Sequence, residues 1–318
     1  MRTCINPNCG RPIARPARFC PGCGVRQEQQ QRCGRRRAPL SIHLALVLIA
    51  GLTAVKSGCT ALHDGGGAGG GGSEPAKYKE TRTITAPAAP AAAISTRNGP
   101  ITLRRGDAPQ TAITAKIAAT TPQRLKETRI VAEIQPDGGL LIAVKWPDDQ
   151  PRKNVSCAFD VTLPAATAAV NAETSNGPID LAHLSGPARL RTSNGPITVK
   201  DHAGSVDART SSGAIELREV GGRVIAHTSN GQVTVALRAG ATGPIDVQTS
   251  NGSADLTLPP TYQGRFSLST SNGSIHYPKP PAVQDVQAGR DHASFVIGQS
   301  TTASTVTTSN GSIDVRLK

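Results

Sequence analysis

The chain has 318 residues, enough for one large domain or two smaller ones. Its formal charge is +13, but residues 1–37 carry nine Arg and one acid, Glu28; that segment accounts for +8 and leaves +5 for the remaining 281 residues. No basic face for phosphate contacts is therefore expected on the main domain, and no nucleic-acid partner. Five of the seven Cys lie within the first 33 residues, which excludes a disulfide framework elsewhere. With 3% aromatic residues and abundant Gly, Thr, Ser and Ala, the core must come from small aliphatics in regular array. An all-β fold is expected.

Residues 1–26 contain "CINPNCGRPIARPARFCPGCG", in which Cys4 and Cys9, then Cys20 and Cys23, form two close pairs, each followed by Gly. Two tight turns carrying four thiolates can converge on one ion, with Gly10 and Gly24 letting backbone amides approach the sulfurs. The segment resembles the zinc-ribbon family. The resemblance implies a structural zinc held by Cys4, Cys9, Cys20 and Cys23, and in so short a module the metal supplies most of the folding energy.

A basic stretch, residues 27–39, ends in Arg35, Arg36 and Arg37 and leads into the apolar segment 40–62. Sixteen helical residues span ~24 Å, and Thr60, Ala61 and Leu62 extend the segment toward a bilayer's ~30 Å. The preceding arginines predict a cytoplasmic N-terminus. Ser57, Gly58 and Cys59 also resemble a bacterial lipoprotein signal, which implies acylation at Cys59, although Lys56 stands where an aliphatic residue is usual. The segment therefore reads as a single-pass signal anchor or as a lipid attachment, and either exports the rest of the chain. Residues 63–79 are a glycine-rich linker.

Residues 80–318 contain a repeat. Aligning on "TSNG" gives Asn98, Asn176, Asn194, Ser212, Asn230, Asn251, Asn272 and Asn310, at intervals of 78, 18, 18, 18, 21, 21 and 38. Two residues earlier stands Thr in every copy: Thr96, Thr174, Thr192, Thr210, Thr228, Thr249, Thr270 and Thr308. One residue later stands Gly: Gly99, Gly177, Gly195, Gly213, Gly231, Gly252, Gly273 and Gly311. Apolar residues fall six and four before the Asn position and three and five after it. Strand side chains alternate with period two, so this change of parity needs a bend at Asn-Gly. A unit this short cannot bury its stripe alone, so copies must stack. A β-solenoid of 18–21-residue turns is expected, with Thr and Asn as inward ladders and rungs ~4.8 Å apart. The interval of 38 reads as two turns, or as one turn carrying an insertion. The interval of 78 contains alternating strands and a Pro-Asp-Gly-Gly turn, a hairpin-bearing section that caps one end.

The tandem "TSNGxIxV" units after "FDVTLP" resemble the bacterial putative-adhesin family of β-strand repeats, a domain of unknown function. The resemblance implies a solenoid, an envelope location and a binding role, with no catalytic residues to transfer.

Chemistry on the solenoid is the remaining question. Four residues after the Asn position stand Thr102, Asp180, Thr198, Glu216, Thr234, Asp255, His276 and Asp314. Where the 18-residue period holds, these carboxylates fall on alternate turns, ~9–10 Å apart, at or beyond the upper end for an inverting glycosidase pair. The histidines fall in different phases of the repeat, and no second ligand supports a metal site among them. Three functions are left: a non-enzymatic envelope adhesin or scaffold that meets a surface polymer or protein, a membrane-spanning relay between the solenoid and a cytoplasmic zinc-ribbon partner, and a carbohydrate-active enzyme. The first is expected.

Overall fold

The computed structural model describes residues 76–146, 155–279, 281–300 and 302–318, with the backbone of two short strands, β1 (Arg2–Thr3) and β2 (Pro12–Ile13). Those two strands, in the N-terminal unit, pair antiparallel, Arg2 opposite Ile13 and Thr3 opposite Pro12. The zinc-ligand candidates Cys4, Cys9, Cys20 and Cys23, the basic stretch 27–39, the apolar segment 40–62 with Cys59, and linker residues 63–75 lie outside the described residues.

The second unit is all-β apart from one six-residue helix, α1 (Pro122–Glu127), among the described residues. Its body is a stack of rungs, each made of two strands joined at the Asn-Gly position. In chain order they are β4–β5 (Ala91–Ser95, Ile101–Gly106), β10–β11 (Ala169–Asn176, Ile179–Ala182), β12–β13 (Ala188–Asn194, Ile197–His202), β14–β15 (Val206–Ser212, Ile215–Val220), β16–β17 (Val224–Asn230, Val233–Leu237), β18–β19 (Ile245–Asn251, Ala254–Leu258), β20–β21 (Gly264–Asn272, Ile275–His276) and β24–β25 (Ala303–Asn310, Ile313–Leu317). First strands pair in parallel with first strands and second with second, giving two long sheets around one core. Register carries from rung to rung, with one irregularity between Arg218 and Val220: Ile179 lies beside Ile197, Ile197 beside Ile215, and Ile215 beside Val233. These columns are fully buried, as are Leu181, Val199, Leu217, Val235 and Leu256 two residues on. Each such side chain contributes about 1.5–3 kcal/mol on burial.

The corner explains the repeated hexapeptide. Gly177, Gly195, Gly231, Gly252 and Gly311 have φ between +151° and +158°, where L side chains are strained. A Cβ on any glycine of the column from Gly177 to Gly311 would stand 2.0–2.3 Å from the carbonyl oxygen of the neighbouring corner's glycine, so only hydrogen fits. The Gly195 N–H donates to Ser212 O at 2.9 Å, while Thr210 Oγ1, on that same next rung, donates back to Gly195 O at 3.0 Å. The same exchange recurs for Thr192, Thr228, Thr249, Thr308 and Thr270. Buried Thr thus supplies the donor that a bent backbone withholds from its own carbonyl.

The Asn column differs from expectation. Thr174, Thr192 and the other repeat threonines up to Thr308 are buried, but Asn176, Asn194, Asn230, Asn251, Asn272 and Asn310 are exposed. The bend occurs at Asn itself and turns its side chain out of the core. Its amides still form a ladder: Asn176 Nδ2 to Asn98 Oδ1 at 2.7 Å, Asn194 to Asn176 at 2.9 Å, and Asn251 to Asn230 at 2.9 Å. Ser212 interrupts it, and Asn230 Nδ2 reaches Ser211 O at 3.5 Å instead.

Both ends depart from stacking in chain order. At the N-terminal end, β8 (Leu140–Lys145) and β9 (Val155–Pro164) pair outside β4 and β5, so a later segment forms the earlier rung. Beyond them lie β7 (Arg129–Ile134), β6 (Thr111–Ala119) and edge strand β3 (Tyr78–Ala86). Edge strand β3 carries a half-buried ion pair, Glu80–Arg82 at 2.9 Å, in the column that holds Ile84 and Ala86. Arg82 also donates to Leu125 O and Thr128 O at the C-terminus of α1, where the helix dipole favours a cation. Charges on such a strand guard an edge against foreign pairing.

At the other end, β24 inserts between β18 and β20, and β25 between β19 and β21. The interval of 38 is therefore neither two sequential turns nor one enlarged turn. The chain leaves β19, passes over a vacant rung into β20–β21, forms the hairpin β22 (Gln284–Ala288) and β23 (His292–Ile297), and returns to fill the gap. Tyr262, in the crossing, is buried with its ring tilted at 50° to that of Phe266, 5.8 Å away; Phe266 stacks on Phe295, itself stacked on Tyr277. These four rings close the end of a core that otherwise uses small residues.

One residue marks the inserted rung. Ser304 stands where other rungs place Val170, Val206, Val224 or Ile245, and it is 2% exposed. Elsewhere the N–H of that position donates to a carbonyl of the next rung, as Val224 does to Pro244. The inserted strand enters from another direction, and Ile245 N–H donates to Ser304 Oγ at 3.1 Å instead. Ser304 Oγ also lies 3.2 Å from the Tyr262 hydroxyl, which donates to Gly243 O. Ser304→Ala strands this N–H inside the core and should cost about 1–3 kcal/mol in urea unfolding. A change within experimental error would show that the hydroxyl is dispensable.

Candidate functional site

The acidic column on the second sheet changes with the rung order. Asp255 and Asp314 are direct register neighbours, with His276 on the other side of Asp314. The alternate-rung expectation applied to the 18-residue stretch and does not reach this pair, which is one inter-strand step apart. Proximity does not make it a catalytic pair here. Arg316 bonds Asp314 Oδ2 at 2.5 Å, and Gln232 Nε2 bonds Asp255 Oδ2 at 2.5 Å. Arg316 is itself held charged by its hydrogen bond to Asp314 and, more weakly, by the nearby Asp255. Glu216 is paired with Arg218, and Asp180 stands two rungs from it with Thr198 between. No three metal-ligating side chains converge among the described residues. Cys157 is buried in β9, and burial pushes its thiol up to about 12, so it packs and does not react.

A second corner was missed by sequence reasoning. His183, Asp201 and Glu219, spaced by 18, have φ of +61°, +50° and +54°. They end the second strand of their rungs, and glycines 186, 204, 222 and 243 follow as another column against neighbouring backbone. The 18-residue spacing was the available signal, but mixed side chains conceal a shared backbone conformation. His183 Nδ1 lies 2.8 Å from Asp201 Oδ2, and Arg238 reaches Asp201 at 3.6 Å.

The residue after this corner points inward: Leu184, His202 and Val220. His202 is 1% exposed, and neither ring nitrogen has a well-formed hydrogen bond, although backbone of Ser205 and Gly186 lies near. Burial holds its pKa below the ordinary 6.5, with those backbone groups opposing more weakly.

The outer face of the twelve-stranded sheet carries the other concentration of charge. Asp207, on β14, is approached by Arg209 at 2.7 Å, Arg191 at 3.7 Å and Arg189 at 3.8 Å. Beside it runs a groove of about 560 Å³ on the same face, walled by the turn between β7 and β8. In that turn Asp137 Oδ1 accepts the Gly139 N–H, and Gly138 takes φ +82°.

In-register rungs, two parallel sheets and paired corner columns define a β-solenoid repeat protein, with its polar chemistry on the outer faces. The Toastrack DUF4097 family matches residues 142–316, over half of the chain, and the chain belongs to that family. Solved structures similar to it include a putative adhesin from Bacteroides fragilis NCTC 9343, 9% identical with a TM-score of 0.40, covering 77% of this chain and 100% of that one. A putative cell adhesion protein from Clostridium sporogenes ATCC 15579 is 13% identical, with a TM-score of 0.30 and the same coverage. A putative adhesin from Parabacteroides distasonis ATCC 8503 is 10% identical, with a TM-score of 0.35, covering 75% of this chain and 97% of that one. No curated protein matches the chain.

Two variants test the columns. Ser212→Asn should join the two segments of the amide ladder and raise stability by about 0.5–1.5 kcal/mol in urea unfolding; no gain would mean the ladder adds nothing. His202→Leu should stabilise at neutral pH and also flatten the acid limb. Its buried, unpartnered nitrogens cost stability even in the neutral form; because the folded His202 binds protons more weakly than the unfolded one, a further loss sets in as pH drops below about 6.5. Urea midpoints of wild type and variant should therefore diverge further on going from pH 7 toward about pH 5. Parallel pH profiles would rule out this role.

Proposed function

We propose that the chain is a non-enzymatic protein of the bacterial cell envelope, a membrane-tethered adhesin or binding scaffold. The observation that carries this reading is the register carried from rung to rung. It places outward side chains in columns ~4.8 Å apart on a stiff body whose backbone groups are spent within the ladders. Such a surface suits an extended, repetitive partner, an envelope polymer or a surface protein.

The N-terminal sequence supplies the tether. Segment 40–62 serves as a single-pass anchor, or Cys59 as a lipid attachment, with residues 63–79 as a flexible spacer. Among the described residues no helix is long and apolar enough to cross a membrane, and segment 40–62 lies outside them. Cys4, Cys9, Cys20 and Cys23 hold a structural zinc in this reading. The pairing of β1 with β2 supports it, since the ribbon brackets the stretch that contains Cys4 and Cys9. The same ribbon favours a second reading, in which the solenoid communicates with a cytoplasmic partner of the zinc module.

External protease on spheroplasts, combined with mass spectrometry of the mature N-terminus, tests both. Digestion of residues 76–318 with survival of an N-terminal tag is expected, with zinc in the purified protein lost in Cys20→Ser/Cys23→Ser. A mature chain starting at Cys59 would keep the tether and eliminate the relay. A full-length chain confined to the cytosol would overturn the envelope assignment.

A further inference from the structure

The groove on the twelve-stranded sheet crosses β8, β4, β10, β12, β14 and β16, all register neighbours. Five inter-strand steps give it a length of ~24 Å along the solenoid axis. Its shape therefore selects a linear chain lying across the strands. The floor is half-buried and apolar, from Ala93, Leu141 and Ile225, and the polar lining includes Gln135, Asn171, Arg189 and Arg223.

Its lining sets Arg189 and Arg223 against Asp207 and Asp137, and both carboxylates are already engaged, Asp207 by arginines and Asp137 by the Gly139 N–H. Among the described residues, Asp207 is the one carboxylate within 4 Å of Arg189, Arg191 and Arg209, and it is only 18% exposed. Arg189, at 61% exposure, keeps most of its donors free. Arg223 is exposed; its carbonyl accepts the Val206 N–H, and its guanidinium has no partner among the described residues. Glu173 stands beside Arg191 in register, outside the lining, and neither it nor Asp137 pairs with a guanidinium. Guanidinium forks match carboxylate geometry in two-point contacts.

We propose that this groove binds a linear polysaccharide bearing carboxylates. This rests on the reading of the domain as a binding scaffold and names its ligand class. Arg189 and Arg223 belong to rungs two steps apart, a spacing of about 10 Å along the axis. That separation suits a chain with an acid on every second sugar. Asn171, on β10, and Gln135, past β8, offer amides to hydroxyls of the sugars that continue beyond Arg189. Among the described residues no aromatic side chain lines the groove, which gives a neutral sugar no stacking platform there. An acidic peptide is disfavoured because peptides add to sheets at an edge through main-chain bonds. This groove lies on a face, where the backbone is already paired.

Titration calorimetry with hyaluronan oligosaccharides, which carry one uronate per disaccharide, tests the proposal on the folded 76–318 domain within the full chain. Binding that weakens with salt is expected, and Arg189→Ala/Arg223→Ala should lose at least about tenfold in affinity. Arg104→Ala/Arg105→Ala, with equal charge loss on the other sheet, should retain it, and circular dichroism confirms that both variants fold. Equal loss in both variants, equal binding of dextran, or no binding of hyaluronan and polygalacturonate would overturn the proposal. Tighter binding of polyglutamate would reassign the groove to a peptide, and tighter binding of a teichoic acid would reassign it to phosphate. Membrane placement is read separately by protease access, so a null titration leaves the envelope assignment standing.

Discussion

The closeness of one Asn-Gly corner to the next governs this domain. Each corner glycine sits where a methyl group would strike the carbonyl of its neighbour, and that carbonyl takes its hydrogen bond from a buried Thr on the following rung. The two requirements act together. Glycine permits the approach, and threonine compensates the carbonyl that the bend removes from the ladder. Once two corners dock, every residue on either side is held in register, because strand pairing continues outward from the contact. The Ile, Leu and Val columns then stack without any freedom to slip, and the outward columns keep the same pitch.

A core assembled this way needs little bulk. Small aliphatics suffice along the stack because each side chain meets its own equivalent above and below. The ends lack that neighbour, and there the composition changes. Phe266, Phe295, Tyr262 and Tyr277 gather at one end, while the other is finished by α1, β3 and the Glu80–Arg82 pair. The few aromatic residues among those described are thus concentrated toward the ends of the stack.

The same geometry decides how much of this is legible in the sequence. Period and parity reveal the corner, the buried strands and the solenoid, since those properties repeat within every unit. Rung order does not repeat, and an interval of 21 is equally compatible with either neighbour. Asn251 and Asn272 look adjacent in sequence, yet Asn310 lies between them. Ser304 was the local clue, a polar residue in an apolar column, but its meaning depends on Ile245, 59 residues away. The corner at His183, Asp201 and Glu219 escaped because a shared φ leaves no common side chain. The groove was hidden for a related reason: the turn at Gln135–Gly139 meets Asn171 and Arg189 only after β8 has stacked outside β4.

The inserted rung also imposes an order on synthesis. Residues 264–272 emerge well before residues 303–310, yet their seat is made by the later segment. A growing chain cannot complete that end rung by rung, and the contacts it must await are long-range ones, which form slowly. Until residues 303–318 are available, β18 and β19 have open edges, of the kind that pair with whatever strand is nearest. A ribosome stalled before residue 303 would thus release a product with an adhesive scar. The inner edges of β18 and β19 are covered only when the returning segment has been made, so the order of synthesis and the protection of those edges are coupled in its topology.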